Sequence, residues 1–448
     1  MKKVVKFGGS SLASAGQFQK VKAIILADSS RRFVVPSAPG KRCSDDVKVT
    51  DLLYRYYDLL SGGQDGEAVR VEIRSRYEDI LSGLDLDYSL EPEFEIIAEN
   101  FRKGFGRDYA ASRGEYLNGL IMAEYLGVPF VDAAEVVCFD REGRFLPEET
   151  NRVMSARLAG LDRAVIPGFY GALPDGTIKT FSRGGSDISG SLVARAVRAD
   201  LYENWTDVSG FLLADPHIVD DPVPIGTITY QELHELSCMG ASVLHEDTVF
   251  PVKKAGIPIN IKNTNRPQDP GTMIVSSTSQ RLNYRITGIA GKKGYCAVNI
   301  RKPDADRGQG FDRKVLRVLE QTHIPFESLA HREDTLSVLV DQKEFLARQN
   351  AVLNSLQRSV RPDSISLEAD LALVAVGRRD AKSRGGVSGR VFSALEQAHI
   401  RARALDRSPE EQTTVVGVKN EDFEQAIRAI YDNFITFSSG KGSVSFSM

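Results

Sequence analysis

Two hydrophobic periodicities alternate along the first 170 residues of the chain. Residues 2–7, KKVVKF, form a short apolar run that stops at Gly8-Gly9-Ser10-Ser11, and over 17–26 the apolar positions recur at helical spacing. This reads as strand, glycine turn, helix. RFVVPSAPG at 32–40 repeats the theme, a β-branched strand ending in small residues, and 128–131 and 164–168 read as further strands. With helical stretches between them, the pattern predicts an α/β layer on a mostly parallel sheet. Residues 45–127 are mainly helical and charged, broken by SGGQDGE at 61–67, and are expected to pack outside the sheet and contribute a substrate lid.

Past Gly271 the polar stretch VSSTSQ at 275–280 gives way to shorter strand-like runs alternating with single helices, which puts a boundary near residue 280. Beyond it the chain repeats itself. GFDRKVLRVLEQTHIPF from Gly310 aligns with GVSGRVFSALEQAHIRA from Gly386, an offset of 76 residues that also lays AVNI at 297–300 on LVAV at 373–376. Each copy reads strand, glycine loop, amphipathic helix, strand.

A chain of 448 residues exceeds what one core normally sustains, in keeping with several modules. The composition, 42% hydrophobic and 26% charged, is that of an ordinary globular protein, and a net charge of -3 gives no electrostatic ground for a nucleic-acid or membrane partner. Cys43, Cys138, Cys238 and Cys296 are far apart and form no CxxC pair, so neither a disulfide framework nor a zinc site is implied. The histidines lack HExxH spacing. The first apolar run breaks at Gly8, too early for a signal peptide, and no run reaches the roughly 18 apolar residues of a membrane span. A cytoplasmic protein is expected.

Chemistry concentrates in a few places. The turn after KKVVKF can bring backbone N–H groups to a phosphate with Lys6 at its edge, or serve only strand-to-helix geometry; it matches neither GxxxxGK[ST] nor GxGxxG. Ser182-Arg183-Gly184-Gly185-Ser186-Asp187 opens a small-residue helix and combines a carboxylate-binding fork with close backbone approach and an acid, although Ser186 or Asp187 could equally be a helix cap. Asp207, after LYENWT, stands at a strand end, facing a nucleotide or magnesium or merely starting a turn. Glu115 could accept an ammonium or be solvated on its helix. GxSxG is absent from these strand-to-helix turns, which disfavours a serine hydrolase.

Taken in order, KFGGSS at 6–11, GEYLNGLIMAEYLG at 114–127, FSRGGSDISGSLVA at 181–194, WTDVSGFLLADP at 205–216 and MGASVLHEDTVFPV at 239–252 resemble the aspartate kinases. The resemblance implies an amino-acid-kinase domain over 1–280, a carbamate-kinase-like three-layer αβα sandwich. Two α+β, ferredoxin-like ACT regions over 281–366 and 367–448 would follow, with 285–291 completing the second. It implies transfer of the ATP γ-phosphate to the side-chain carboxylate of L-aspartate, the first step toward lysine, threonine and methionine. Mg²⁺ would be held mainly by the ATP phosphates, with no direct protein ligands. By position, Lys6 matches the lysine that neutralises the transferring phosphoryl group and Asp187 the acid that organises the centre. Thr50, Glu115, Arg183, Gly184, Gly185 and Ser186 match the aspartate pocket, Glu115 taking the ammonium and Arg183 the α-carboxylate. Lys6, Gly8, Gly9, Ser10, Thr206 and Asp207 match ATP contacts. An amino-acid effector, lysine or threonine, would bind the ACT regions near Glu327 and His331. ACT pairing implies a homodimer or larger.

Overall fold

The computed structural model describes residues 1–182, 184–238, 244, 246–278, 286–303, 310–332, 334–378, 387–407 and 413–439. They divide into two compact units. The first comprises Met1–Phe211, Pro224–Leu233 and Ser242–Ser279; the second comprises Leu212–Val223, His234–Ala241 and Gln280–Met448.

The first unit contains β1 (Lys3–Phe7), β2 (Arg31–Pro36), β3 (Ala164–Val165), β4 (Tyr170–Ala172), β5 (Ile178–Thr180), β6 (Leu201–Thr206), β7 (Thr227–Thr229), β8 (Ile259–Asn263) and β9 (Thr272–Val275). Seven of these form one sheet in the order β3-β2-β1-β6-β8-β9-β7, parallel except between β8 and β9, and β4 pairs with β5 in a separate hairpin. From β1 the chain steps to β2 on one side and returns at β6 on the other. The crevice at the C-terminal end of β1 is therefore a topological switch point, where open α/β sheets place ligands.

Expected strands at 128–131 and 164–168 shrink to an isolated bridge between Phe130 and Val165 and to the two residues of β3. Pro129 and Pro167 lack the N–H that a ladder needs. The four helices Val49–Ser61, Glu67–Gly83, Glu91–Arg102 and Arg107–Leu126 fill the region read as an outer layer, but the last is buried from Tyr109 to Ala123 along most of its faces. Alanine, serine and glycine at 110–112, 114 and 119 let it lie close to its neighbours, which makes it a core element.

In the second unit a six-stranded antiparallel sheet runs β11-β12-β10-β13-β15-β14, with β10 at Gly288–Arg301, β11 at Phe326–Arg332, β12 at Thr335–Asp341, β13 at Ser364–Gly377, β14 at Ala404–Arg407 and β15 at Thr413–Lys419. The 76-residue offset carries β10 onto β13 end to end and the helix Phe311–Gln321 onto Val387–Gln397. Both long strands change character midway: Gly294 (φ +94°) and Asp370 (φ +58°), equivalent under that offset, interrupt the regular extended backbone. Residues 295–301 pair with β12, whereas 288–293 pair with 372–377, the half of β13 that carries β15. Each copy is thus four antiparallel strands with helices on one face, the α+β ACT arrangement. In the first copy Cys296, Val298, Ile300, Val315, Leu336, Val338 and Phe345 form its core.

Candidate active site

Parallel packing buries β1 on both faces, so a lysine inside it must find a partner. Lys6 is only 8% exposed, and its Nζ lies 2.6 Å from Asp187 Oδ1. Asn204, one strand over on β6 and register-matched to Lys6, ties the two together: its Nδ2 donates to Asp187 Oδ1 at 2.9 Å and its Oδ1 accepts from Lys6 at 3.4 Å. A fixed ion pair thus stands at the switch point. Asn204 escapes the sequence patterns above, although an asparagine inside the buried strand LYENWT is its signal.

Two glycine turns close over this pair. Gly8 N–H donates to Trp205 O, and Gly40 N–H donates to Gly9 O at 2.8 Å. A Cβ at Gly40 would come within 2.5–2.7 Å of three backbone atoms of Gly9 and Ser10. Gly40→Ala must therefore separate the turns, and an unfolding free energy lower by about 1–3 kcal/mol is expected in denaturant titration, with turnover reduced in parallel. Gly184 precedes the helix Gly185–Ala196 with φ +56°, and any side chain there would also strike Thr248. That bend aims the helix N-terminus, with Asp187 in its first turn, at the crevice.

Glu115 comes from the buried helix Arg107–Leu126 and meets the same crevice from the other side. Its Oε1 faces the Ser186 hydroxyl at 3.5 Å, and Oε2 has no hydrogen-bond partner among the described residues. Burial pushes its pKa up to about 7, opposed by the Ala38 N–H, the Ser186 hydroxyl and the charge of Lys6. Such a carboxyl awaits a cation.

Lys6, Gly8, Gly9, Glu115, Gly184, Gly185, Ser186 and Asp187 are thereby brought together. Thr206 ends β6, its hydroxyl 3.1 Å from the exposed Asp207 carboxylate, and Ser10 lies half-buried in the turn Gly9–Leu12. Thr50 is half-buried in the first turn of Val49–Ser61, and among the described residues no hydrogen bond joins it to the cluster. Arg183 lies outside the described residues. The loop before Thr50 is stapled by the buried Arg76, which donates to Gly40 O and Val47 O and pairs with Asp46 at 3.0 Å.

In the second unit Glu327 and His331 both lie on β11: Glu327 accepts from Tyr295 at 3.3 Å, and His331 stands 3.2 Å from Asp312. A cleft of about 590 Å³ on the same sheet is lined by His331, Asn299, Arg301, Ser337, Ser366 and Arg403 among others, and not by Glu327.

Residues 1–263 match the amino acid kinase family, and 374–434 match an ACT domain. The chain is 33% identical to aspartokinase 3 of Bacillus subtilis over 96% of its own length and 98% of that protein's. The chain belongs to the aspartokinases of the amino acid kinase family. The aspartate kinase of Clostridium acetobutylicum superposes with a TM-score of 0.93 at 45% identity, over 96% of this chain and all of that one. Aspartokinase III of Escherichia coli, solved with aspartate and ADP, shares the fold at 24% identity, with a TM-score of 0.75 over 97% of this chain and all of that one. Glycine turns, a buried lysine–aspartate pair and a helix N-terminus at one crevice fit this family's phosphoryl chemistry, and the regulatory repeat fits its ACT half.

Proposed function

We propose that this chain transfers the γ-phosphoryl group of ATP to the side-chain carboxylate of L-aspartate, giving 4-phospho-L-aspartate. The observation that carries the reading is the buried Glu115 carboxylate with its unpartnered oxygen, beside the Lys6–Asp187 pair under the glycine turns. An anionic pocket next to a phosphate cradle suits a substrate that is itself a zwitterion.

The nucleophile, a side-chain carboxylate that ordinarily titrates at about 3.9, is already ionised at neutral pH, so no general base is needed. The protein's task is to hold two anions in line and offset their repulsion. Glu115 receives the ammonium of aspartate, Arg183 its α-carboxylate, and Thr50 and Gly184–Ser186 line the pocket. Lys6 stabilises charge on the transferring group while Asp187 and Asn204 fix its position. Gly9 and Ser10 supply N–H groups to the ATP phosphates, Gly8, its own N–H held by Trp205 O, shapes the turn beneath them, and Thr206 and Asp207 border the nucleotide. Mg²⁺, carried mainly by ATP, supplies further charge neutralisation. A lysine or threonine effector acts through the ACT region, with Glu327 and His331 as its candidate contacts, and the ACT sheet pairs subunits into a homodimer or larger. Among the described residues no helix is long and apolar enough to cross a membrane, and we assign the chain to the cytoplasm.

The test is turnover of ATP with L-aspartate against L-glutamate, the acyl phosphate trapped as hydroxamate, with lysine or threonine added in parallel. Aspartate-only product supports the assignment, and inhibition names the effector. Glutamate turnover moves the chain to another carboxylate substrate, and no product from either leaves a sensor without catalysis. Arg183→Ala is expected to raise the aspartate KM with little change in the KM for ATP; an unchanged aspartate KM removes Arg183 from the pocket.

A further inference from the structure

The geometry points to Asn118 as a positioning residue for the amino-acid acceptor, an inference that rests on the aspartate reading above. One peptide unit, joining Ser37 to Ala38 just past β2, lies along a single turn of the helix Arg107–Leu126. Gly114 makes the approach possible, since a Cβ there would sit 2.8 Å from Ala38 Cβ. At one end of the unit, fully buried Asn118 donates from Nδ2 to Ser37 O at 2.6 Å. At the other, the Ala38 N–H faces the Glu115 carboxylate and favours its charged form.

The two ends are mechanically linked. A planar trans peptide points its C=O and N–H in opposite directions, so anchoring the carbonyl on Asn118 aims the N–H back along the helix. Residues 115 and 118, three apart, share one helix face and grip the unit like a pair of jaws. GEYLN at 114–118 therefore encodes a seat, a carboxylate and a clamp.

The clamp matters because the Ala38 N–H contributes most among the groups that support the Glu115 anion against burial. Its own backbone N–H, the Ser186 hydroxyl from Gly185–Ala196 and the charge of Lys6 from β1 also favour the anion, while the Tyr77 and Tyr54 phenols, from Glu67–Gly83 and Val49–Ser61, lie within electrostatic reach. Lys6, the cation in this set, is already paired with Asp187. A fixed Ala38 dipole thus keeps Glu115 able to ionise and accept an ammonium at neutral pH. Without Asn118 the Ser37 carbonyl loses its anchor and the Ala38 N–H its fixed aim, so Glu115 holds its proton to higher pH and aspartate binds more weakly.

The test uses the full-length protein with Asn118→Ala, which deletes the donor, Asn118→Asp, which replaces it with an acceptor, and Asn118→Ser, which keeps a shorter one. Steady-state kinetics with each substrate varied are measured from pH 6 to 9, alongside thermal unfolding. Expected for Asn118→Ala is an aspartate KM raised about tenfold, with kcat and the KM for ATP within about twofold. The acid limb of kcat/KM for aspartate should move up by about one pH unit, and Asn118→Ser should recover part of both effects. If Asn118→Asp does not fold, the alanine and serine variants carry the comparison. An unmoved aspartate KM and acid limb overturn the inference, as do equal rises in both KM values accompanied by lost thermal stability. Wild-type protein inert toward aspartate overturns the aspartate reading and this inference with it. Active wild type with unmoved variants overturns this inference alone.

Discussion

Lys6→Ala is expected to lower kcat by about 10³-fold while changing the KM for ATP less than tenfold, because its charge is most valuable when the phosphoryl group is in transit. Removing it also leaves the Asp187 carboxylate, held by Asn204, without its cation beside the incoming anions, so one substitution both deletes attraction and adds repulsion. That doubling predicts non-additivity. Asp187→Asn alone should lower kcat strongly, yet added to Lys6→Ala it should cost less than the product of the two, since the unpaired negative charge disappears. Single-turnover rates with saturating ATP decide the matter, and a Lys6→Ala enzyme within tenfold of wild type would remove Lys6 from the transition state.

The second large effect is at Glu115. Glu115→Gln is expected to raise the aspartate KM by about 10²-fold, because it removes the charge that meets the ammonium inside a buried site. The same variant should be more stable than wild type above pH 7. With its pKa raised to about 7, the folded protein binds a proton that the unfolded chain, at an ordinary carboxyl value, has released. Stability from this group is therefore fully present at low pH and lost as pH rises from the unfolded value through about 7. The cost on the alkaline side is about 3 kcal/mol at most, and Glu115→Gln abolishes it. Denaturant titrations of the substrate-free protein at pH 5.5 and 8.5 should give a wild type that weakens with alkalinity and a variant that weakens less. Equal slopes would mean that Glu115 is not buried as an isolated acid.

Much of this site can be read in the sequence, and what cannot follows a physical rule. KFGGSS, RGGSD and the glutamate of GEYLN are marked by small residues clustered beside charge, which local pattern reveals. Asn204 and Asn118 are not so marked, since the partner that gives each its role lies on another segment of the chain. Fold reading fails in the same way. The helix Arg107–Leu126 has no clean apolar stripe because it is covered on most faces, and the segments around Pro129 and Pro167 have strand composition without strand donors. The repeat, by contrast, is plain from a fixed offset, because two copies of one packing problem select the same residues at the same spacing.

The way the ACT copies share β10 and β13 has a consequence for how that half of the molecule came to be and how it must melt. Neither copy owns a complete sheet: residues 288–293 complete the later copy and 364–368 the earlier one, so a cut between the repeats strands a ribbon from each. The duplicated halves are obligate partners, unable to be shed or exchanged singly. They should lose hydrogen-exchange protection as one block, which makes any signal sensed in one copy the immediate concern of the other.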